Sequence, residues 1–138
     1  MIYNIIKDVK IDFSSSIVGF EHLKYFKVEQ IDASSPFWML QSEEDAGIGF
    51  VVVSPFEVYP DYEFKLSDEI IEVLRIEQPE QVAVYTIVTM KSKFTHSTIN
   101  LVAPIVINIS TGMARQFILN HSNYPVNAPL FPLQSEGE

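Results

Sequence analysis

An all-β fold is predicted for this chain: a small antiparallel β-barrel-like domain with one short α-helix near residues 67–75. Three observations predict it. Runs of β-branched and aromatic residues recur along most of the length, turn-forming clusters interrupt them at regular spacing, and a single segment carries helix start and stop signals. Roughly seven to nine short strands are expected from that pattern.

The elements follow in chain order. Ile2–Ile6 and Val9–Phe13 form a first hairpin, with Lys7-Asp8 as its turn. Leu23–Ile31 is the next strand, and the break from Asp32 to Pro36 separates it from Phe37–Leu40. Glu43–Gly47 is a polar turn into Ile48–Val53, and that strand stops at Ser54-Pro55. The helix begins at Ser67, a good N-cap, with Leu66 and Ile71 spaced as a hydrophobic staple. Asp68 and Glu69 place negative charge at the positive end of its dipole. Ile70, Ile71 and Leu74 share the face that packs on the sheet, Glu69, Glu72 and Arg75 point outward, and Pro79 stops the helix from running far past Ile76. Gln81–Met90 is apolar on both faces and should lie centrally, covered on each side.

The run Asn100-Leu101-Val102-Ala103-Pro104-Ile105-Val106-Ile107-Asn108 constrains the fold most sharply. Proline has no N–H for a ladder, so a strand must bend, bulge or lie at an edge at Pro104 before resuming at Ile105. The last hairpin is Ile105–Ile109, a Ser110-Thr111-Gly112 turn, and Ala114–Leu119. No internal repeat is present. One domain spans 1–126, and 127–138 reads as a flexible C-terminal tail.

Bulk properties narrow the function. Hydrophobic residues make up 47% of the chain while its net charge is −9, the mark of a filled core with a sparse, acidic surface. The absence of cysteine excludes disulfides and thiolate metal sites. No apolar run reaches the ~18 residues that cross a bilayer, and no basic-then-apolar leader stands at the front, so a soluble cytoplasmic protein is expected. Between Glu57 and Glu80 eight acids face only Lys65 and Arg75, which concentrates −6 of the −9 in one region. Direct nucleic-acid binding needs the opposite sign. Such a surface either solvates the protein or attracts a basic partner.

Nothing in the chain argues for an enzyme. His22, His96 and His121 are far apart, and none has a partner at metal-ligand spacing. The hydroxyl residues around His96 are a poor triad signal, because triad members meet through the fold and not along the chain. Asp61 and Glu63 read as an exposed turn better than as an acid–base pair, and five glycines supply no phosphate loop. No cofactor or metal is expected.

Protein docking is the remaining class. Tyr59, Tyr62 and Phe64 share a segment stiffened by Pro55 and Pro60 and interspersed with acids, and rigid aromatics beside charge suit an interface anchor. The alternative is that they cover one end of the barrel. The candidate docking residues are therefore Asp61, Tyr62, Glu63, Phe64, Glu69 and Glu72, together with Asn100 and Pro104 at the bend. For the last two, satisfying backbone groups where one pairing ends is the competing role.

Five motifs taken together are similar to those of the FliW family of bacterial flagellar assembly factors. They are Gly19-Phe20-Glu21, the run from Phe50 to Phe56, the run from Pro60 to Phe64, the run from Asn100 to Asn108, and Asn123-Tyr124-Pro125. One departure is Ser14-Ser15-Ser16-Ile17-Val18, where the family carries a Pro/Gly-rich loop. The resemblance implies a cytoplasmic β protein that binds flagellin, the filament subunit; a monomer is expected. It also implies binding of CsrA, the small RNA-binding protein that represses flagellin translation. The alternative it leaves is a dedicated flagellin chaperone without CsrA binding. A small-molecule-binding barrel is a third class, and the apolar Val82–Val88 segment speaks against it.

Overall fold

In the computed structural model, which describes residues 10–14, 16–31, 34–119 and 123–132, a meander comes first. Strands β1 (Lys10–Asp12), β2 (Tyr25–Gln30), β3 (Phe37–Ser42), β4 (Gly49–Val53) and β5 (Val82–Thr89) pair antiparallel in that order. Period-two alternation sets the register. Phe26 and Val28 on β2, and Trp38, Leu40 and Ser42 on β3, turn inward together. The β3–β4 turn is built from side chains. The Ser42 hydroxyl accepts from the N–H groups of Glu44 and Asp45, and the Asp45 carboxylate accepts from Gly47.

β5 then divides the molecule. Its first half pairs with β7 (Ile105–Asn108) and its last two residues pair with β6 (Thr98–Ile99). Three steps along β5, from Tyr85 to Val88, correspond to six on the partner run, from Ile105 back to Ile99. The surplus is a bulge at Asn100–Pro104, the consequence expected of Pro104. Asn100 braces it, its side-chain oxygen accepting from Val102 at 3.0 Å and Ala103 at 3.1 Å. Beyond the bulge the partners change. β6 pairs with β9 (Ala128–Pro129), and β7 pairs with β8 (Ala114–Gln116).

The barrel-like form is realised as an open sheet. Between β8 and β1 there is one parallel bridge, Asp12 with Met113, where the Asp12 N–H donates to the Gly112 carbonyl at 2.8 Å. The chain after β1 spans the rest of the gap. The Gln116 N–H donates to the Ser16 hydroxyl, and the Val18 N–H donates to the Gln116 side chain.

Three clusters fill the interior. Ile11, Phe13, Phe26, Leu40, Ile105 and Ile107 are central to the first, between the meander and β7. Val53, Val88, Ile99, Leu101, Ala128 and Leu130 form most of the second, around β6 and β9. Ile70, Leu74, Ile76 and Val106 form the third, under helix α2 (Asp68–Val73). Ser67 caps α2 as predicted, its hydroxyl accepting from the Ile70 N–H.

Two expectations need correction. A further helix, α1 (Pro55–Val58), follows Ser54; at four residues it is too short to show helical periodicity in sequence. Residues 128–130 belong to the fold and not to a loose tail, because β9 pairs with β6 and Leu130 is buried. The proposed Lys7-Asp8 turn and the end of the tail, 133–138, lie outside the described residues.

Candidate protein-docking site

The segment between β4 and α2 builds the site. Pro55 opens α1 at the position where a missing N–H costs nothing, and the chain leaves the helix at Tyr59. Pro60 and Asp61 form a turn closed by the Tyr62 N–H donating to the Tyr59 carbonyl at 2.8 Å. The turn brings Tyr59 and Tyr62 against Tyr124, with the Tyr62 and Tyr124 ring centroids 4.6 Å apart. Phe56 meets Tyr62 edge-on at 5.6 Å.

All three tyrosine hydroxyls are tied to backbone. Tyr62 donates to the Leu101 carbonyl in the bulge at 2.9 Å, Tyr59 donates to the Pro129 carbonyl at 2.6 Å, and Tyr124 accepts from the Glu63 N–H at 2.8 Å. Tyr62 is only 5% exposed, and burial, with Tyr124 adding to it, pushes its phenol up to about 12. Burial also raises the Tyr59 phenol. With their hydroxyls engaged, the tyrosines turn ring surface toward a groove of about 380 Å³. Leu101, Pro125, Ala128 and Pro129 complete its apolar wall, and Asp61 is its one charged lining residue.

The chain runs from this groove directly into the acidic helix. Phe64 packs against both the second and third clusters, so the link between groove and helix is held from both sides. α2 ends in a paired turn: the Arg75 N–H donates to the Glu72 carbonyl and the Ile76 N–H to the Ile71 carbonyl. Arg75 takes the left-handed conformation there, with φ of 54°. Asn108, wholly buried on β7, donates to the Leu74 carbonyl at 2.8 Å and to Arg75 at 3.3 Å. The helix is thereby hooked to the sheet with Glu69 and Glu72 facing solvent. The eight acids from Glu57 to Glu80 are all exposed. None is in an ion pair among the described residues, where the two pairs are Lys10–Glu43 and Lys27–Glu29.

This groove-and-helix unit lies inside the region matched by one family model, "FliW protein", which covers residues 3–130. The chain belongs to the FliW family. The flagellar assembly factor FliW of Clostridium novyi is 46% identical over 121 residues, spanning 88% of this chain and 85% of that protein. The FliW of Oceanobacillus iheyensis is 40% identical over 134 residues, spanning 95% and 91%. A crystal structure of the flagellar assembly factor FliW superposes with a TM-score of 0.84 at 38% identity, covering 94% of this chain and 90% of that one. As a member of that family, the protein is a flagellar assembly factor and not an enzyme.

The fold brings together part of the sequence-predicted set. Asp61 and Tyr62 line the groove, Glu63 is tied to Tyr124 beside it, and Phe64 leads to α2 with Glu69 and Glu72. Asn100 is half-buried and occupied with the bulge, so it serves the backbone. Pro104 is buried, and its carbonyl accepts from Phe117. Tyr124, Pro125 and Pro129 were not among the predicted docking residues. The signal for the first two was their motif beside Asn123, whereas Pro129 fell in the supposed tail.

Proposed function

We propose that this flagellar assembly factor works in the cytoplasm, as a monomer, by binding flagellin and CsrA in turn. While flagellin is plentiful it occupies the protein and CsrA is free to repress. Once flagellin is exported, the protein takes up CsrA and relieves repression. The observation that carries this reading is the run of exposed carboxylates from Glu57 to Glu80, with no ion pair among the described residues and with the end of α2 hooked to the sheet through Asn108. Its sign and continuity suit the basic RNA-binding surface of CsrA, and it would repel RNA brought to the same place. The adjoining groove at Asp61, Tyr62 and Tyr124 suits an apolar flagellin segment that is unfolded before assembly.

The test combines charge reversal with competition. Glu69→Lys with Glu72→Lys, both at exposed positions, should lower the association rate of CsrA by about tenfold at low salt, with a smaller change in dissociation. Raising salt until the Debye length falls below ~10 Å should weaken the wild-type complex in the same way. Soluble flagellin added to the preformed complex should restore RNA binding by CsrA. Binding kinetics indifferent to both salt and charge reversal would remove the acidic surface as the site. Flagellin binding without CsrA binding would leave the dedicated-chaperone reading.

A further inference from the structure

A second surface adjoins the groove through β9 and carries basic in place of acidic side chains. From Gln81 to Pro132 the chain contains no Asp or Glu, while Lys91, Lys93 and Arg115 are present. Within this stretch the turn from Met90 to Ser97 carries Phe94, 40% exposed, and Met90, 55% exposed. The turn is rigidly held. The Lys91 N–H donates to the buried Ser97 hydroxyl, His96 donates to the Lys93 carbonyl, and the Ser97 carbonyl accepts from Leu130 beside β9. Phe94 stands edge-on to Phe37 at 5.9 Å and to Phe131 at 5.3 Å, so its ring is preset. Neither lysine is in an ion pair among the described residues. None of the segments that meet there, 34–42, 89–99 and 128–132, carries a carboxylate.

We propose that this ledge of Phe94 and Met90, flanked by Lys91 and Lys93, docks an acidic, apolar-anchored segment of a partner protein. Charge complementarity selects that occupant: two lysines with no ion pair among the described residues sit beside exposed rings in a protein that is otherwise strongly acidic. An anionic membrane or a nucleic acid would feel the whole net charge of −9, which opposes approach. A short peptide feels chiefly the charges within a Debye length, roughly 8 Å in the cell, and the charged side chains of the described turn are Lys91 and Lys93. The surface is separate from the acidic helix and does not rest on the partner-switching reading.

The probe is a short labelled peptide with leucines at helical spacing and glutamates between them, read by fluorescence anisotropy against the full chain. Its counterpart replaces every glutamate by lysine. The acidic peptide should bind, and the lysine peptide should not. Lys91→Glu with Lys93→Glu should weaken binding by about tenfold or more, and Phe94→Ala by a similar factor. The lysine pair is exposed, so the charge-reversed protein tests the ledge even if Phe94→Ala loosens the Phe37–Phe94–Phe131 contact. The proposal is overturned by failure of the acidic peptide to bind, by equal binding of both peptides, or by affinity unchanged on charge reversal. Capture by phosphatidylglycerol vesicles in place of the peptide, or self-association abolished by the charge reversal, would also overturn it.

Discussion

Replacing Asn108 by alanine should detach α2 before it disturbs the rest of the fold. A helix of six residues is far below the length that is stable alone in water, so α2 exists because tertiary contacts hold it. Ile70 and Leu74 supply the apolar contact, and Asn108 supplies the polar one. Its side chain makes three hydrogen bonds in a buried setting: to Leu74 at 2.8 Å, to Arg75 at 3.3 Å, and from the Ser110 N–H at 2.9 Å. The two shorter bonds are worth about 1 kcal/mol each. Leaving the buried Leu74 carbonyl without its donor adds to that, for a total loss of about 2–3 kcal/mol. At this chain length that lowers Tm by roughly 10 °C. Urea unfolding followed by Trp38, buried on β3 away from α2, gives the global figure. Amide exchange separates the local effect: Leu74 and Ile76, whose N–H groups close the end of α2, should exchange faster by more than the amides of β2 and β3. A loss below about 0.5 kcal/mol, or acceleration spread evenly over the sheet, would refute the role given to this asparagine.

Three other substitutions probe the same architecture. Tyr62→Phe removes the donor to Leu101 inside the second cluster and should cost about 1–2 kcal/mol by urea unfolding at neutral pH. The same substitution should flatten the alkaline limb of stability. The Tyr62 phenol is raised in the fold, so its contribution is complete below the ordinary tyrosine value near 10 and is lost as pH rises toward about 12. Arg75→Gly relieves a left-handed backbone at a helix end that favours glycine and should raise stability by about 0.5–1 kcal/mol; a loss would mean that the arginine side chain contributes more than its backbone costs. Glu44→Gln should remove part of the acid sensitivity. Two backbone donors, Tyr25 and Lys24, hold this carboxylate below its usual range. Its contribution is therefore complete above the glutamate range and is lost as pH falls through the lowered value. Unfolding midpoints across acidic pH measure the difference between the two proteins.

Legibility in the sequence followed the physics of each feature. The bend at Asn100–Pro104 could be read because a missing N–H is an absolute constraint, and the structure answers it with a bulge and a change of pairing partner. α2 could be read because Ser67, the acids after it and the spacing of Ile70 and Leu74 all agree. β9 could not, since a two-residue strand containing proline has no periodicity to recognise; β6 and the buried Leu130 hold it in place. Of the outcomes open at Pro104, a bend, a bulge or an edge, the fold takes the bulge, which removes the proline from the ladder and buries it. The groove was half visible. Asp61 and Tyr62 lie in one short segment, but Glu63 and Tyr124 are 61 residues apart, and only the folded sheet brings that second wall into place.

The geometry also bears on how the two proposed partners would exclude each other. The groove and the acidic helix are fixed to one strand run: the Leu101 carbonyl receives the Tyr62 hydroxyl before the bend, and Asn108 holds the end of α2 after it. From Tyr62 to Asp68 the chain takes six steps, which span at most about 22 Å even when fully extended. A standard protein interface covers about 800 Å² on each side, a patch roughly 30 Å across. Two such footprints, one centred on the groove and one on Glu69 and Glu72, would overlap wherever they share a face. Displacement then needs no conformational signal through the core, and the Phe64 link can stay rigid throughout. Flagellin bound at Tyr62 would cover part of the surface that CsrA needs, and exchange between the two would follow their relative concentrations and affinities.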